Sequence, residues 1–546
     1  MGDLIGKSVK RVEDNRFIKG EGKYTDDFNM DNQTYAIYVR SPHAHANIKG
    51  VDTSKAEAME GVVKVFTGKD IADAGIVGTI CGWQVDFKNG DTMKEPGHPI
   101  MVADKVRHVG DAVALVIADD RQTARDAAGL VEVNYEVLDA VVDPKAATQD
   151  GAPLVHDDVP NNTIFDWELG NKDETDAAFE KAHHITELSY HNQKLIPNAI
   201  EPRAALAHYD SNEDKYTLYT TSQNPHLARL VIAAFVLSIP EHKLRVISPD
   251  VGGGFGSKIF VYNDECGVLW ASKQIGRPVK WTADRSECFL SDYSGRNLLT
   301  RAELALDANG KFLAMRTENY ANMGSHAITY VPLARGPSVT TSVYDIPHAH
   351  VVSKGVLTNS SPTTAYRGAG RPEAIFVMER LIDLAALEMG MDRVELRRLN
   401  LIPPEAIPYR NPTGKTYDSG EFDRGMSMAL THGDWDGFEA RRQEARARGI
   451  FRGIGIANYI ETATGWPAER GQMKVLPDGH IELIIGTQSS GQGHETAYAQ
   501  SPQYQTLNTL TALRRASVAR SRRSPSSLLS LIHIYEPTRL GKSSYA

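Results

Sequence analysis

Four glycines fall within five residues at Gly252-Gly253-Gly254-Phe255-Gly256, and this element constrains the fold more than any other in the chain. Val246–Val251 reads as a strand leading into it, and a helix-compatible stretch follows, ending near Ile275-Gly276. A strand, a side-chain-free turn and a helix form an α/β unit in which backbone N–H groups can approach an anion. The spacing is neither GxxxxGK[ST] nor GxGxxG, because Lys258 comes directly after Ser257 and Ser257 stands where a glycine is required. Two readings stay open: a phosphate cradle, or a tight turn at a close backbone crossing.

The flanking sequence repeats the mixed pattern. Tyr35–Arg40, Val62–Phe66 and Ala112–Ile117 read as strands, and Asp120 is placed to cap a helix over Arg121–Ala128. Val131, Val133, Tyr135 and Val137 alternate as a half-buried strand. Proline at 144, 153 and 160 suggests a boundary. Further on, Pro372 opens a helix whose Ile375, Met378, Ile382 and Ala385 share one face. Gly390 ends it, and Asp392 to Glu395 has capping-box spacing for the next helix. Residues 405–424 read as loop, and Ile481–Ile485 as a strand. Residues 1–30 read as an extended lead-in.

Two further elements carry polar groups on small-residue turns. Gly486–Glu495 contains Gly491-Gln492-Gly493-His494, where Gln492 and His494 bring donors to a turn before a helical stretch. Ala365–Pro372 places Arg367 and Arg371 around Gly368 and Gly370, a pattern for an oxyanion fork or for a solvated helix start. Gln223, in Gln223-Asn224-Pro225-His226, follows the strand Thr217–Thr220, at a strand end of the kind where α/β ligands bind. His43 and His45 alternate as on a strand and read as structural, since no third metal ligand is near. Lys105–His108 reads as a solvated loop.

Composition excludes several classes. The 546 residues suffice for roughly two to four domains. The formal net charge of -9 argues against nucleic acid or anionic lipid as the main partner. Cys81, Cys266 and Cys288 are too few and too scattered for a disulfide framework or an iron–sulfur cluster, which fits a reducing, cytoplasmic setting. No apolar run approaches the roughly 20 residues of a membrane span.

Taken together, Gly6–Asp27, Arg40–Ala46, Gly110–Val113, Val251–Lys258, Arg277–Arg285, Ala365–Glu373, Glu395–Asn400 and Gly491–Glu495 occur in an order that resembles one family. That family is the molybdenum-binding large subunit of the xanthine dehydrogenase/aldehyde oxidase/carbon monoxide dehydrogenase type, and the likeness covers almost all of residues 5–500. The resemblance implies a mixed α+β and α/β chain. It places an α/β-hammerhead domain over 31–145, a first molybdopterin-binding domain over 155–404 and the start of a second over 425–500. It implies hydroxylation of an aldehyde or N-heterocycle with water-derived oxygen. The cofactor would be molybdopterin with molybdenum, in its cytosine dinucleotide form. An iron–sulfur small subunit with [2Fe–2S] clusters and an FAD-binding medium subunit would take the electrons, in a self-associating heterotrimer. By the same likeness Gln223 and Arg367 lie beside molybdenum. Gly253, Gly254, Phe255 and Gly256 are backbone next to it, and Gly491, Gln492, Gly493 and His494 hold the pterin and its phosphate. No side chain is expected to ligate the metal directly. The alternatives are a non-catalytic molybdopterin-binding scaffold and an unrelated nucleotide-binding α/β protein.

Departures from the family narrow the reading. Carbon monoxide dehydrogenases proper carry a copper-binding Cys in the loop matching Tyr366–Arg371, and no thiol is present there. Purine-oxidising relatives carry a Glu and an aromatic where this chain has Ile259 and Ala369, so a purine clamp is missing. After Gln500 the likeness stops. Residues 501–546 hold seven basic residues (Arg514, Arg515, Arg520, Arg522, Arg523, Arg539, Lys542) against Glu536 alone, and read as an out-of-frame or artefactual tail. The family's glutamate general base, in a Gly-x-Gly-Glu motif, has no counterpart in this stretch, so a truncated and inactive chain is the expectation.

Overall fold

A computed structural model describes residues 8–461, 470–478 and 481–500. They fall into two compact units, one of residues 1–22 with 491–546 and one of residues 23–490. The 501–546 tail lies outside the described residues.

The larger unit is mixed α/β. Its seven-stranded sheet runs, edge to edge, Leu244–Ile247, Lys215–Thr220, Ala204–Asp210, Val279–Thr282, Thr34–Arg40, Ala112–Ala118 and Val62–Thr67. The join between early and late strands is parallel, with Thr34 opposite Val279. The helix Asn263–Ile275 is buried along most of its length, and its Val268, Leu269 and Ala271 pack in one core with Leu115, Ile117 and Trp281. Burial on that scale contributes about 1.5–3 kcal/mol per large apolar side chain. Gly267 permits the packing: a Cβ there would lie 2.2 Å from the Tyr38 hydroxyl. That hydroxyl donates to the Asp264 carbonyl at 2.8 Å.

A five-stranded sheet orders Thr163–Gly170, His348–Leu357, Phe312–Gly324, Leu298–Leu306 and His184–Asn192. The helix Arg371–Glu388 packs on it, with Met378, Ile382 and Ala385 fully buried. A three-stranded sheet joins Lys105–Val106, Ala46–Asp52 and Glu132–Val137.

Local signals held at several ends. Asp120 accepts from the Gln122 and Thr123 amides at the start of Arg121–Ala128. Gly390 takes φ 67° just past Arg371–Glu388. Asp392 caps Arg393–Asn400, but the Glu395 carboxylate turns to Arg398 at 2.5 Å instead of closing a capping box.

Several expectations need correction. The lead-in contains the helix Asp14–Ile18 and the 3-10 turn Thr25–Asp27. His43 and His45 precede the strand Ala46–Asp52 rather than lying in it. His45 bonds the Asp139 carbonyl at 2.6 Å and His43 packs edge-on to Tyr135. Residues 405–424 include a small hairpin, Tyr409–Arg410 with Thr416–Tyr417. Lys105–His108 is not a solvated loop. Lys105–Val106 is a strand, and His108 is buried against Asp111 at 2.9 Å. Its partner Ser325 lies more than two hundred residues away.

In the smaller unit, residues 494–500 are helical. Thr496 donates to the Glu13 carboxylate at 2.5 Å and accepts from the Val12 amide at 2.9 Å. Among the described residues, no helix is long and apolar enough to cross a membrane.

Candidate functional site

The strand Lys215–Thr220 delivers Gln223 to the sheet's end, where Asn224 caps the helix Pro225–Leu230 by accepting from Leu227. The Gln223 Oε1 accepts from two backbone amides of the glycine loop, Gly256 at 2.9 Å and Lys258 at 3.3 Å. Both partners are N–H donors, so the orientation of the amide is forced: the oxygen faces the loop and Nε2 faces away as a donor. Among the described residues none accepts a hydrogen bond from Nε2.

The loop is shaped for close approach. Phe255 takes φ 53° and is 43% exposed, although the loop on either side of it is buried. A Cβ on Gly254 would fall 2.4 Å from the Gln223 amide, and one on Gly256 2.6 Å from the Ala365 carbonyl. The amides of Gly253, Gly254 and Phe255 bond no described residue, which leaves a row of donors at the turn. Lys258 is not part of that row. Its Nζ is buried against Glu201, 3.2 Å from the carboxylate and 2.9 Å from the carbonyl, and burial pulls its pKa down. Glu201 also accepts from the Gly252 amide at 2.8 Å, so one carboxylate fastens both ends of the loop.

The helix Asn263–Ile275 adds nothing to an anion at the glycine turn. Asn263–Ile275 starts five residues after Lys258, and its first turn is buried under its own Glu265, which accepts from Tyr262 and Thr220. No helix N-terminus therefore opens at the glycine turn.

The arginine loop lies against the glycine loop. The Arg367 amide donates to the Phe255 carbonyl at 2.9 Å. Gly368 and Gly370 take φ 98° and 97°. The Arg367 side chain is exposed rather than buried. The packed guanidinium is that of Arg296, which sequence reasoning missed. It donates to the carbonyls of Tyr366 at 3.1 Å and Arg367 at 2.7 Å, pairs with Glu373 at 3.2 Å and covers the Tyr366 ring. Burial raises the Glu373 pKa. No local pattern around Arg296 marks it, because its partners come 70 or more residues later.

Gln223, Gly253–Gly256 and the backbone of Arg367 therefore meet at one end of the seven-stranded sheet. Gly491, Gln492, Gly493 and His494 belong to the smaller unit. There the Gly491 carbonyl accepts from Arg11 at 2.7 Å, Gly493 is buried, and the His494 Nδ1 is buried without a partner. Upstream, in the larger unit, Gln488 Nε2 donates to the Pro249 carbonyl at 2.9 Å and ties the second glycine-rich element to the segment feeding the first, where the expected strand over Val246–Val251 has already ended at Ile247.

An oxygen-rich anionic group fits these residues. Gln223 Nε2 and three loop amides offer donors, the glycines leave room, and the hydroxyl of buried Thr364, beside Ala365, has no partner. Among the described residues no cluster of His, Cys, Asp and Glu could hold a metal by side chains alone.

Comparison with known proteins matches three domain families to the chain. Residues 155–401 match a family described as molybdopterin cofactor-binding domain, and 428–505 match a second domain of that description. Residues 19–139 match the a/b hammerhead domain of aldehyde oxidase and xanthine dehydrogenase. The chain is 36% identical over 531 residues to the carbon monoxide dehydrogenase large chain of Afipia carboxidovorans, covering 91% of this chain and 64% of that one. It is 35% identical over 515 residues to the nicotine 6-hydroxylase large subunit of Paenarthrobacter nicotinovorans, covering 91% and 62%. The crystal structure of quinoline 2-oxidoreductase from Pseudomonas putida 86 superposes with a TM-score of 0.85 at 32% identity, covering 92% of this chain and 64% of that one. The chain thus spans under two thirds of the length of these relatives.

Proposed function

This chain belongs to the xanthine oxidase family of molybdopterin-binding large subunits, and from that premise we propose that it forms the substrate-oxidising part of a molybdenum hydroxylase. The substrate class is an aldehyde or an apolar N-heterocycle. Ile259 and Ala369, which provide neither a carboxylate nor a ring, support that choice over a purine. The absence of a thiol in Tyr366–Arg371 speaks against a copper-dependent carbon monoxide site. A bound molybdopterin, read here in its cytosine dinucleotide form, supplies the two-electron oxidation and the transfer of water-derived oxygen. Iron–sulfur and FAD subunits are the proposed electron acceptors, within an assembled heterotrimer in the cytoplasm. The domain bounds 31–145, 155–404 and 425–500 belong to the same reading.

The chain's own residues have definable tasks. Gln223 would present Nε2–H to the bound cofactor, and the amides of Gly256 and Lys258 keep the side chain from flipping. The amides of Gly253, Gly254 and Phe255 add donors that need no reorganisation when charge develops. Phe255, outward on a left-handed backbone, sets an apolar ring beside the loop. Arg296 and Glu373 hold the Arg367 loop in register. Gly491 to His494 are assigned to the pterin and its phosphate.

The observation that carries the reading is the forced orientation of the Gln223 amide. The test compares Gln223→Ala, Arg367→Ala and His43→Ala for molybdenum and pterin content per chain, and for kcat in the assembled enzyme. Gln223→Ala is expected to keep the cofactor and lose about 10²–10³ in kcat, the usual cost of one preorganised donor. Arg367→Ala should lose more, with part of the metal. His43→Ala, which only packs on Tyr135, should stay within a few-fold. Equal behaviour of Gln223→Ala and His43→Ala would refute the assignment.

A further inference from the structure

In the smaller unit, four residues of the N-terminal lead-in reach Gly491, Glu495 and Thr496, which lie 479 to 484 positions later in the chain. The Arg11 guanidinium donates to the Gly491 carbonyl at 2.7 Å, and the Val12 amide donates to the Thr496 hydroxyl at 2.9 Å. That hydroxyl donates in turn to the buried Glu13 carboxylate at 2.5 Å. Arg16 pairs with Glu495 at 2.8 Å, where both side chains are partly exposed. Between these bonds stands a turn with two left-handed glycines, Gly491 at φ 103° and Gly493 at φ 80°. Two glycines give such a turn many alternative conformations, so contacts from outside have to hold the ordered one. A Cβ on Gly493 would fall 3.3 Å from Arg11 Cδ and 3.6 Å from Glu13 Oε1, which sets the lead-in directly over the turn. Two buried polar atoms flank it without a partner, Glu13 Oε1 and His494 Nδ1. Unpaired buried atoms of this kind are destabilising, so a carboxylate bonded through one oxygen is a poor fastening if stability is its only task.

We propose that Glu13 is a positioning residue for the cofactor: through Thr496, and with Arg11 on Gly491, it fixes the turn that presents Gln492 and His494. Glu13 itself touches neither substrate nor cofactor. The inference rests on the assignment of Gly491–His494 to the pterin and its phosphate. It adds that a segment ahead of the hammerhead range 19–139 completes that site from the other end of the sequence.

The test uses the full chain and two measurements: amide exchange in residues 494–500 of cofactor-free protein, and molybdenum and pterin content per chain of the loaded protein. Glu13→Ala and Thr496→Val should speed the exchange by about 10- to 100-fold, the scale of a lost hydrogen bond to a charged group, and should lower the pterin content. Glu13→Gln, whose amide oxygen still accepts from Thr496, should restore both, and so should Thr496→Ser. Arg16→Ala removes an exposed pair and should change the exchange by less than about fivefold. His494→Ala acts on the cofactor directly and should lose pterin with the exchange little changed. Unchanged exchange in Glu13→Ala would overturn the positioning role and leave the pterin assignment standing. Faster exchange with full pterin content in Glu13→Ala, while His494→Ala loses pterin, would reduce the contact to a structural one and overturn the proposal as well. Full pterin content in His494→Ala would refute the assignment of the loop, and the proposal with it.

Discussion

At the scale of single residues, the site depends on backbone that only glycine can supply. Gly256 takes φ 103°, and a Cβ there would meet the Ala365 carbonyl at 2.6 Å. Gly256→Ala is therefore expected to cost about 2 kcal/mol or more in urea unfolding, because a left-handed conformation and a backbone clash act together. Gly276, with φ 66° and nothing within 4 Å of its would-be Cβ, should tolerate alanine with about 1 kcal/mol, since only the conformation is strained. Similar losses at the two glycines would show that crowding at the arginine loop is not what fixes the turn. Much of this site was legible in the sequence. The glycine density, the amide at a strand end and the arginine between small residues are local patterns. Arg296, Glu373 and Glu201 were not legible, because each acts on a loop far away in the chain and nothing in its neighbours records that.

At the scale of elements, Asp N-caps proved dependable, since an Asp before a helix meets its partners within three residues, whereas the capping box at Asp392 to Glu395 did not close. Asp392→Ala should cost about 1 kcal/mol through the helix Arg393–Asn400, read as a shift in the urea midpoint at constant slope. The elements misread were those whose surroundings come from elsewhere. His98 and His108 precede the boundary near 150, and His156 and His326 follow it, yet all four are buried together. Ser325 bridges His108 and His326 at 2.9 and 3.0 Å, and the rings of His98 and His326 stack at 4.3 Å. Burial pushes His98 and His156 down from 6.5 to about 4, although Asp111 pulls the other way on both. Arg107 also lowers His156. Their native state disfavours the proton, so their stabilising contribution is complete above pH 6.5 and is lost as pH falls through 4. Asp111, held at about 2 against an ordinary 3.8, loses its own contribution below that window. Stability should therefore decline steeply between pH 6.5 and 4. In a His98→Phe, His156→Phe double variant that decline should flatten, as chemical denaturation across pH would read. An unchanged slope in the variant would place the acid sensitivity elsewhere.

At the scale of the whole molecule, one sheet takes three strands from residues before 145 and four from residues after 200. A buried ion network crosses the same join. Arg40, at the end of the strand Thr34–Arg40, pairs with Asp264 and with Glu287, the latter at 2.8 Å. Arg203, which enters the strand Ala204–Asp210, bonds Asp264 at 2.7 Å and Asp292 at 2.6 Å and lies 3.8 Å over the Tyr262 ring. Coulomb attraction to the two carboxylates outweighs burial and raises the Arg203 pKa, while both arginines hold Asp264 below the ordinary carboxylate range. Removing one member leaves its partners buried and unpaired, which costs more than the pair contributes. Arg203→Met should lower stability by about 3–5 kcal/mol. Because the network and the sheet both span the join, the loss should appear at once in strands on either side. Amide exchange in Ala112–Ala118 and in Ala204–Asp210 should accelerate by the same factor, as expected when both open only with global unfolding. Survival of slow exchange in Ala112–Ala118 while Ala204–Asp210 opens would show instead that the early strands hold together as a unit of their own.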